Sequence, residues 1–202
     1  MNDTKKLGRP RTFDYDDALM EAMGVFWAKG YDGASLRDLT KAMGITGPSM
    51  YSAFGDKREL YLKTIDRYAD VNGCEPVVIF ETEPDIEKAV RGFLEKVIKY
   101  ATDNGSGAKG CFLASSVSTN IGQVEGVAER VAAAIDDTDR RLAARFDEEK
   151  EKGTLPADFP SLERAALLYD IRQGYMFRGR AGWTEEDLRK DLDHRVQMIL
   201  SH

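Results

Sequence analysis

Small and hydroxyl-bearing side chains crowd residues 46–57, TGPSMYSAFGDK, in a composition suited to contact with phosphate. Thr46 can cap a short helix, Pro48 is tolerated in its first turn, and Gly55 can end it. Small side chains at a helix start let the free N–H groups, at the positive end of the helix dipole, approach an anion. The phenol of Tyr51 and the ammonium of Lys57 could add phosphate contacts. We therefore expect a short helix that presents its N-terminal face to an anionic partner.

A second candidate for chemistry is the thiol of Cys111, in the segment KGCFLASS. It follows a glycine-rich stretch, residues 104–110, and stands at the start of a predicted helix close to Lys109. Such surroundings can make a thiol reactive. The alternative is a small buried residue that only fills the core. Cys74 lies in a predicted linker, and nothing around it marks it for chemistry.

The motifs of several common enzyme classes are absent from the sequence. It contains no H-E-x-x-H, no phosphate-cradling G-x-x-x-x-G-K-S/T and no G-x-S-x-G. The two histidines, His194 and His202, stand near the C-terminus, so we expect neither a histidine-based acid–base site nor a metal centre. Two cysteines do not make a disulfide framework, which fits a reducing compartment. We expect no enzymatic activity and no cofactor.

Charge is unevenly distributed along the 202 residues, whose formal net charge is −6. The first sixty residues hold nine basic and nine acidic side chains, so the remainder carries the whole negative excess. Within the first twelve residues, four basic side chains oppose Asp3 alone. The chain thus has a basic tip, a neutral head and an acidic body. It shows neither an apolar stretch long enough to span a membrane nor the apolar core of a signal peptide, so we expect a cytoplasmic protein.

Nearly every segment carries the apolar periodicity of a helix, and neither a long alternating strand pattern nor an internal repeat occurs. Asp14 can cap the first helix and Gly30 can end it, while Ser35 opens the second with a capping box. The run VVIF, residues 77–80, lies in a predicted linker (residues 72–84) and is interpreted as loop. The sequence predicts an all-α fold of about nine helices. Later helices are predicted over residues 57–71, 85–103, 124–152, 161–180 and 184–200, with another segment starting near residue 111.

Two of the predicted helices are short and are joined by the connection Met43-Gly44-Ile45-Thr46. A glycine in a tight turn between two short helices is the pattern of a helix-turn-helix. In that motif the second helix stands clear of the first and can enter a groove of DNA. An ordinary corner between core helices would produce the same pattern.

The segment AMGITGPSMYSAFGDKREL resembles the DNA-binding signature of the TetR/AcrR family of transcriptional regulators. Upstream, ALMEAMGVFWAKGYDGASLRDLTKAMG is similar to the rest of that signature, and RQGYMFRGRAGWTEEDL to the penultimate helix and turn of many members. The resemblance implies a basic arm at residues 1–12, a helix-turn-helix DNA-binding domain at 13–62, and an effector-binding and dimerisation domain at 63–202. It implies a regulator, usually a repressor, that binds a palindromic DNA operator as a homodimer and is released by a small-molecule effector.

The resemblance also assigns DNA contacts residue by residue. Ser35 matches the cap of the second helix that touches phosphate, and Lys57 matches a basic residue that contacts the backbone. Gly47 departs from the family, because many members carry a longer polar residue there and a glycine cannot read a base edge. Arg9 and Arg11, in the arm GRPR, could enter a minor groove; a basic tail that aids solubility is the alternative. The recognition helix is matched by Thr46, Gly47, Pro48, Ser49, Tyr51 and Ser52.

The C-terminal part should supply an effector cavity and a dimer interface. Aromatic and polar residues together are the usual lining of a small-molecule site, although core packing is the alternative for each of them. Two apolar stripes on the last two helices could form a four-helix interface between two chains, or face their own core. The candidate cavity residues are Phe93, Val97, Tyr100, Cys111, Phe112, Ser116, Tyr169, Arg172, Gln173 and Phe177. The candidate interface residues are Leu162, Ala166, Leu188, Leu192, Val196 and Ile199.

Two other functions stay open at this point. Some members of the family with a similar Gly-Cys-Phe/Leu-Leu segment sense electrophiles, oxidants or copper, so Cys111 could make this a thiol- or metal-responsive regulator. A helical protein-interaction adaptor is the remaining alternative class. It would need neither the arm GRPR nor the small residues at the start of the short helix.

Overall fold

The computed structural model describes residues 13–70, 75–102 and 111–201, and every regular element within these ranges is a helix. This confirms the predicted all-α class. The predictions for Arg9, Arg11, Cys74, Lys109 and His202 fall outside the described residues. No helix in the described ranges is both long and apolar enough to cross a membrane. The helices are α1 (Tyr15–Gly33), α2 (Leu36–Ala42), α3 (Gly47–Phe54), α4 (Lys57–Asp70), α5 (Glu75–Thr82), α6 (Ile86–Thr102), α7 (Val127–Glu151), α8 (Ser161–Arg180), α9 (Glu185–Arg189) and α10 (Leu192–Leu200), with a π segment (Leu113–Val117) and a 3-10 turn (Ser118–Asn120) between α6 and α7.

Side-chain caps and glycines set the limits of the first helices. Asp14 accepts a 2.9 Å hydrogen bond from the backbone N–H of Asp17 and starts α1. Gly30 interrupts α1 with a φ of +72°, a left-handed conformation that favours glycine, so the helix bends where the sequence predicts its end. Gly55 ends α3 with a φ of +83°, and a Cβ there would lie 1.6 Å from the Glu59 carboxylate. Both glycines are therefore required by the local backbone.

The head, which we define as α1–α3, packs around one side of α3. Met50 and Phe54 are buried, and the ring of Tyr15 stacks on Phe54 with 4.4 Å between the ring centroids. Burial of each of these two α3 side chains contributes about 2 kcal/mol to the free energy of unfolding. One face of α3 is thereby held to α1, and the opposite face is left to solvent.

The body, which we define as α5–α10, is built around α6. The apolar face of α6 is buried among α5, α8, α9 and α10. Arg145 of α7 holds the turn between α5 and α6, because it donates hydrogen bonds of 3.0 and 3.2 Å to the carbonyl oxygens of Glu83 and Pro84. It also forms a buried ion pair with Glu149, one helical turn away. A single arginine thus ties α7 to the α5–α6 turn.

Residues 77–80 belong to α5, so the prediction of a loop there is wrong. Val77 and Phe80 are buried three positions apart on one face of the helix, and the ring of Phe80 meets Phe146 edge-on at 5.1 Å. A run of four apolar residues does not distinguish between helix, strand and loop by its periodicity. α5 and the division of the last predicted helix into α9 and α10 bring the α-helices in the described ranges to ten.

The apolar stripe of α9 and α10 faces its own chain, which corrects its assignment to a dimer interface. α9 and α10 lie against α6, and α10 also contacts α8. No side chain of the stripe is more than 5% exposed. An apolar stripe has the same periodicity whether its own chain or another chain covers it, and here α6 supplies the covering surface. The residues concerned are Leu188, Leu192, Val196 and Ile199.

Candidate DNA interface and ligand cavities

α3 presents its small and polar side chains on the side opposite its buried face. Tyr51 is 50% exposed, whereas Met50 and Phe54 are buried. A Cβ at Gly47 would meet no heavy atom within 4 Å, so this position faces open space. The structure therefore gathers the α3 residues of the predicted interface on one surface. Thr46, Pro48, Tyr51 and Ser52 are exposed, and Gly47 and Ser49 are half-buried.

Two hydroxyls at the start of α3 are already hydrogen-bonded to each other. Thr46 Oγ1 accepts a 3.3 Å hydrogen bond from the backbone N–H of Ser49, and the two side-chain oxygens are 2.9 Å apart. Because each hydroxyl carries one proton, the pair retains a single O–H for an outside acceptor. This cap can therefore offer a phosphate one hydroxyl together with the free backbone N–H groups of the first turn.

Ser35 caps α2 in a capping box with Asp38. The backbone N–H of Asp38 donates to Ser35 Oγ at 3.1 Å, and the Ser35 hydroxyl donates to the Asp38 carboxylate at 2.7 Å. The Lys29 ammonium lies 2.9 Å from the same carboxylate. Hydrogen bonds from Lys29 and then from Ser35 lower the pKa of Asp38 to about 2. The Ser35 proton is thus committed to Asp38, and a phosphate would have to compete for it.

Lys57, at the start of α4, lies over the ring of Tyr31 with its ammonium 4.5 Å from the ring centroid. A cation over an aromatic face is attracted by the quadrupole of the ring. The ring of Tyr31 packs in turn against Tyr61, with 4.9 Å between centroids. The sequence does not predict a role for Tyr31 in the interface. Tyr31 belongs to α1 and Lys57 to α4, and α2 and α3 separate the two residues along the chain.

The chain after Cys111, where the sequence predicts the start of a helix, forms the π segment and the 3-10 turn and joins the head to the body. The hydroxyl of Ser116 donates a 2.9 Å hydrogen bond to the carbonyl oxygen of Phe26 in α1. The side-chain amide of Asn120 donates a 3.2 Å hydrogen bond to the hydroxyl of Tyr61 in α4. Both bonds are buried, so α1 and α4 are each fixed to this segment.

Aromatic rings fill the same junction. Phe112 is buried with ring centroids 5.5 Å from Trp27 in α1 and 5.6 Å from Tyr68 in α4. Neither Phe112 nor Ser116 is among the residues that line the central cavity or the α8 cavity, which are defined below. The aromatic and polar side chains from which the sequence predicts a binding site here make contacts with α1 and α4.

A cavity of about 310 Å³, which we call the central cavity, lies between α4, α5, α7 and α8, with Leu113 of the π segment among its lining residues. Two of its arginines form ion pairs. Arg130 lies 2.7 Å from the Asp66 carboxylate, and Arg141 donates two hydrogen bonds of 2.7 Å to Glu81. These pairs tie α7 to α4 and to α5 on either side of the cavity.

Tyr169 and Arg172 are the predicted cavity residues that line the central cavity. Both are buried, and the guanidinium carbon of Arg172 lies 5.4 Å from the centroid of the Tyr169 ring. Burial raises the pKa of Tyr169 to about 12, so its hydroxyl keeps its proton near neutral pH and can act as a donor. A cation, a phenol and apolar walls together can bind a small molecule that carries polar groups.

A second cavity of about 390 Å³, which we call the α8 cavity, is lined by the predicted residues Cys111, Gln173 and Phe177. Cys111 is 1% exposed, with its Sγ 3.4 Å from the hydroxyl of Tyr68 and 3.9 Å from Nη2 of Arg172. Tyr68 and Arg172 both line the central cavity. Cys111 therefore stands between the two cavities and contacts side chains of the first while it lines the second.

Three predicted cavity residues of α6 line neither of these two cavities. Phe93 and Val97 are fully buried in the core of the body. The hydroxyl of Tyr100 donates a hydrogen bond to Glu75 in α5, and the Lys96 ammonium lies 5.1 Å from its ring centroid. Neighbouring helices close the apolar face of α6, so its aromatic residues contribute to packing rather than to a binding site.

Comparison with known proteins matches residues 18–64 to the family of bacterial regulatory proteins, tetR family. The chain is 29% identical over 185 residues to the HTH-type transcriptional repressor ComR of Escherichia coli K12, across 91% of this chain and 88% of ComR. It is 26% identical over 168 residues to the HTH-type transcriptional repressor BdcR of the same organism, across 83% of this chain and 84% of BdcR. Among solved structures, a cysteine mutant of the TetR family regulator CifR, complexed with a 26-base-pair operator DNA, has a TM-score of 0.82 and 29% identity, over 94% of this chain and 98% of CifR.

Proposed function

Because this chain belongs to the TetR family of transcriptional regulators, which bind DNA and are not enzymes, we propose that it is a homodimeric repressor released from a palindromic operator by a small molecule. We assign residues 1–12 to a basic arm, 13–62 to DNA binding, and 63–202 to effector binding and dimerisation. Arg9 and Arg11 supply a minor-groove contact from the arm. A repressor works where the DNA is, so we assign it to the cytoplasm.

The observation that carries this proposal is the division of α3 into a buried apolar face and an exposed face of small and polar side chains. Met50 and Phe54 hold the helix to the head, which leaves Tyr51 free to reach a phosphate. The open position at Gly47 lets the first turn of the backbone come close to the DNA. Since Gly47 offers no side chain to a base edge, the arm and the shape of the DNA contribute much of the specificity. Ser35 and Lys57 complete the surface.

A homodimer follows from the small size of this surface. One copy makes few phosphate contacts, whereas two copies on a palindrome double them and make the affinity steeply dependent on salt. The outer face of α8 supplies the contact between chains, because Leu162 is 61% and Phe177 is 74% exposed there. Ala166 lies on the same face. Apolar side chains of this size on one exposed helix face are typical of an interface.

The central cavity is the proposed effector site. One of its walls is α4, the helix that follows the head directly, and another includes Leu113 of the π segment, whose Ser116 hydroxyl bonds to α1. An effector that fits better when these walls move apart stabilises that arrangement at the expense of the DNA-bound one. The two α3 helices of the dimer then no longer match the spacing of the half-sites, and the operator is released.

A thiol-responsive form is favoured by the position of Cys111 between the two cavities. Addition of a group to its sulfur would break the contacts with Tyr68 and Arg172 and so change the walls of both cavities. Within the described ranges, no three His, Cys, Asp or Glu side chains come together in a way that could hold a metal ion.

Footprinting on the DNA that flanks the gene of this protein tests the proposal. We expect a protected palindrome whose occupancy falls steeply with salt, and no salt-sensitive binding to any palindrome would overturn the repressor function. The complex can then be challenged with small molecules and thiol reagents. A Cys111→Ser variant that keeps every response would eliminate the thiol-responsive form and leave the small-molecule form in place.

A further inference from the structure

The exposed face of α8 carries a stripe of residues whose positions are symmetrical about the middle of the helix. Spacings of three and four residues place all of them on one face. The spacing is the same from either end, and its midpoint lies between Asp170 and Gln173. A contact between two copies related by a two-fold axis requires such self-complementary positions. The stripe consists of Glu163, Ala166, Asp170, Gln173, Phe177 and Arg180.

The charges of the α8 stripe complement each other when the helix meets its own copy. The acidic Glu163 stands in the first turn and the basic Arg180 in the last. In the described ranges, neither of these residues nor Asp170 takes part in an ion pair, so their charges are free to meet a second chain. Two copies packed antiparallel about the midpoint oppose Glu163 to Arg180, Ala166 to Phe177, and Asp170 to Gln173.

Shape supports the same register. Phe177 is the most exposed of the large apolar side chains in the described ranges, and the small side chain of Ala166 opposite leaves room for its ring. A Cβ at Gly174 would meet no heavy atom within 4 Å, so the backbone of α8 beside the stripe is open to a neighbouring helix. A large side chain, a small one and an open backbone at facing positions allow two helices to approach closely.

The α8 cavity opens on this stripe. Gln173, Phe177 and Arg180 belong to the stripe and also line the cavity, together with Cys111 and Ser115. Ser115 Oγ and Gln173 Oε1 are buried without a hydrogen-bond partner. Buried polar atoms are normally paired with protein groups or water, so these two atoms are available to hydrogen-bond a molecule that enters the cavity.

We propose that a second copy of this chain closes the mouth of the α8 cavity, by antiparallel packing of α8 in the register that opposes Glu163 to Arg180. This register rests on the homodimer proposed above and adds a ligand site that is complete only between two chains. The site suits a small molecule with an apolar part against Phe177 and polar groups that hydrogen-bond Ser115 and Gln173. A ligand there contacts both chains and changes how they pack.

Charge reversal tests the register. Glu163→Lys and Arg180→Glu each replace attraction by repulsion at two symmetry-related pairs, so each should weaken dimerisation about tenfold in Kd. The double variant should restore the affinity, because both pairs become attractive again. Sedimentation velocity measures the dimer, and Glu129→Lys, at an exposed first-turn glutamate of α7, serves as the matched control. A double variant that dimerises as weakly as the single ones overturns the register.

Cysteine cross-linking tests a second facing pair. In protein that carries Cys74→Ser and Cys111→Ser, the combination of Ala166→Cys with Phe177→Cys should give covalent dimers on oxidation. The two positions lie roughly 16 Å apart along one helix, too far for a disulfide within a chain. A dimer in sedimentation that gives no covalent link overturns the register and leaves the homodimer intact. A monomer at every concentration overturns the homodimer and the shared site together.

Alkylation of Cys111 with iodoacetamide reports whether the cavity is covered. In Cys74→Ser protein, the reaction should be slower for the dimer than for the Glu163→Lys variant, whose changed residue does not line the cavity, at a concentration where that variant is monomeric. Equal rates in a confirmed dimer and in the monomeric variant would show that the second chain does not close the cavity.

Discussion

The hydroxyl of Ser116 donates a 2.9 Å hydrogen bond to the carbonyl oxygen of Phe26, ninety residues earlier in the chain. Ser116 belongs to the π segment, which also contributes Leu113 to the wall of the central cavity. Phe26 belongs to α1, the helix against which α3 packs. One buried hydrogen bond thus connects the proposed effector site with the support of the proposed DNA-binding helix.

Loss of this bond should weaken both the fold and the response to effector. Ser116→Ala leaves the Phe26 carbonyl buried without that donor, which should lower the free energy of unfolding by about 1–3 kcal/mol. It should also reduce the effect of a bound effector on operator affinity. Urea unfolding and operator titrations with and without effector measure the two effects. Ser118→Ala, which removes a similar hydroxyl-to-carbonyl bond at an exposed position, should change neither by as much.

Lys57 should contribute a phosphate contact that depends on the Tyr31 ring. Lys57→Ala should reduce the slope of log K against log salt by about one for each half-site. Tyr31→Leu removes the ring beneath the ammonium and should weaken operator binding by about 0.5–1 kcal/mol, whereas Tyr31→Phe keeps a ring there. Fluorescence anisotropy at several salt concentrations gives both quantities. Equal affinities for the Leu and Phe variants would contradict a role of the ring, and Lys88→Ala, on α6 in the body, is the control.

Gly47 should accept a longer side chain and thereby gain the ability to read a base. Because a Cβ there meets nothing within 4 Å, Gly47→Gln should fold as well as the parent protein. A glutamine that reaches a base edge should discriminate between bases at one position of each half-site by about 1–3 kcal/mol. Competition binding against a library of substituted operators measures the preference. Gly47→Ala adds no donor or acceptor and should leave the preference unchanged.

Arg145 should be among the most sensitive single positions of the body. Arg145→Ala leaves the buried Glu149 carboxylate with the Lys152 ammonium as its remaining ion-pair partner, at 2.8 Å, and removes the donor to two carbonyl oxygens, so the loss should be about 1–3 kcal/mol. Replacement of both charges, by Arg145→Met with Glu149→Leu, should cost less, because no buried carboxylate then loses a cation beside it. Urea denaturation measures the difference. Arg140→Ala removes an exposed pair with Asp137 and should change the stability by less than about 1 kcal/mol.

The Ser35–Asp38 cap should make the head sensitive to acid. Hydrogen bonds from Lys29 and Ser35 lower the pKa of Asp38 from 3.8 to about 2, so its ionised form is favoured in the folded state. Its contribution to stability is therefore complete above the unfolded value and is lost as the pH falls from 3.8 towards about 2. Circular dichroism across this range should show a smaller acid-induced loss in Asp38→Asn than in the parent protein. Asp32→Asn, at an exposed neighbouring position, should keep the parent profile.

Local features of this protein can be predicted from the sequence, because they depend on residues within a few positions of each other. The capping box that opens the second helix, Ser35–Asp38, is present as predicted, and Gly30 and Gly55 interrupt or end their helices. The buried face of α3 can also be predicted from the sequence, because residues four positions apart, such as Met50 and Phe54, lie on the same side of a helix. The fold class and the two faces of α3 could therefore be predicted from the sequence.

Only the tertiary structure decides which helix covers each apolar or aromatic face. The stripe from Leu188 to Ile199 and the outer face of α8 both carry apolar residues at helical spacing, yet the first is covered by α6 and the second is exposed. Phe93 fills the core, Ser116 bonds to α1, and neither lines the central cavity or the α8 cavity. The physical reason is that the spacing of apolar residues along a helix shows only which face of that helix they occupy. What lies opposite that face depends on helices that are far away in the chain.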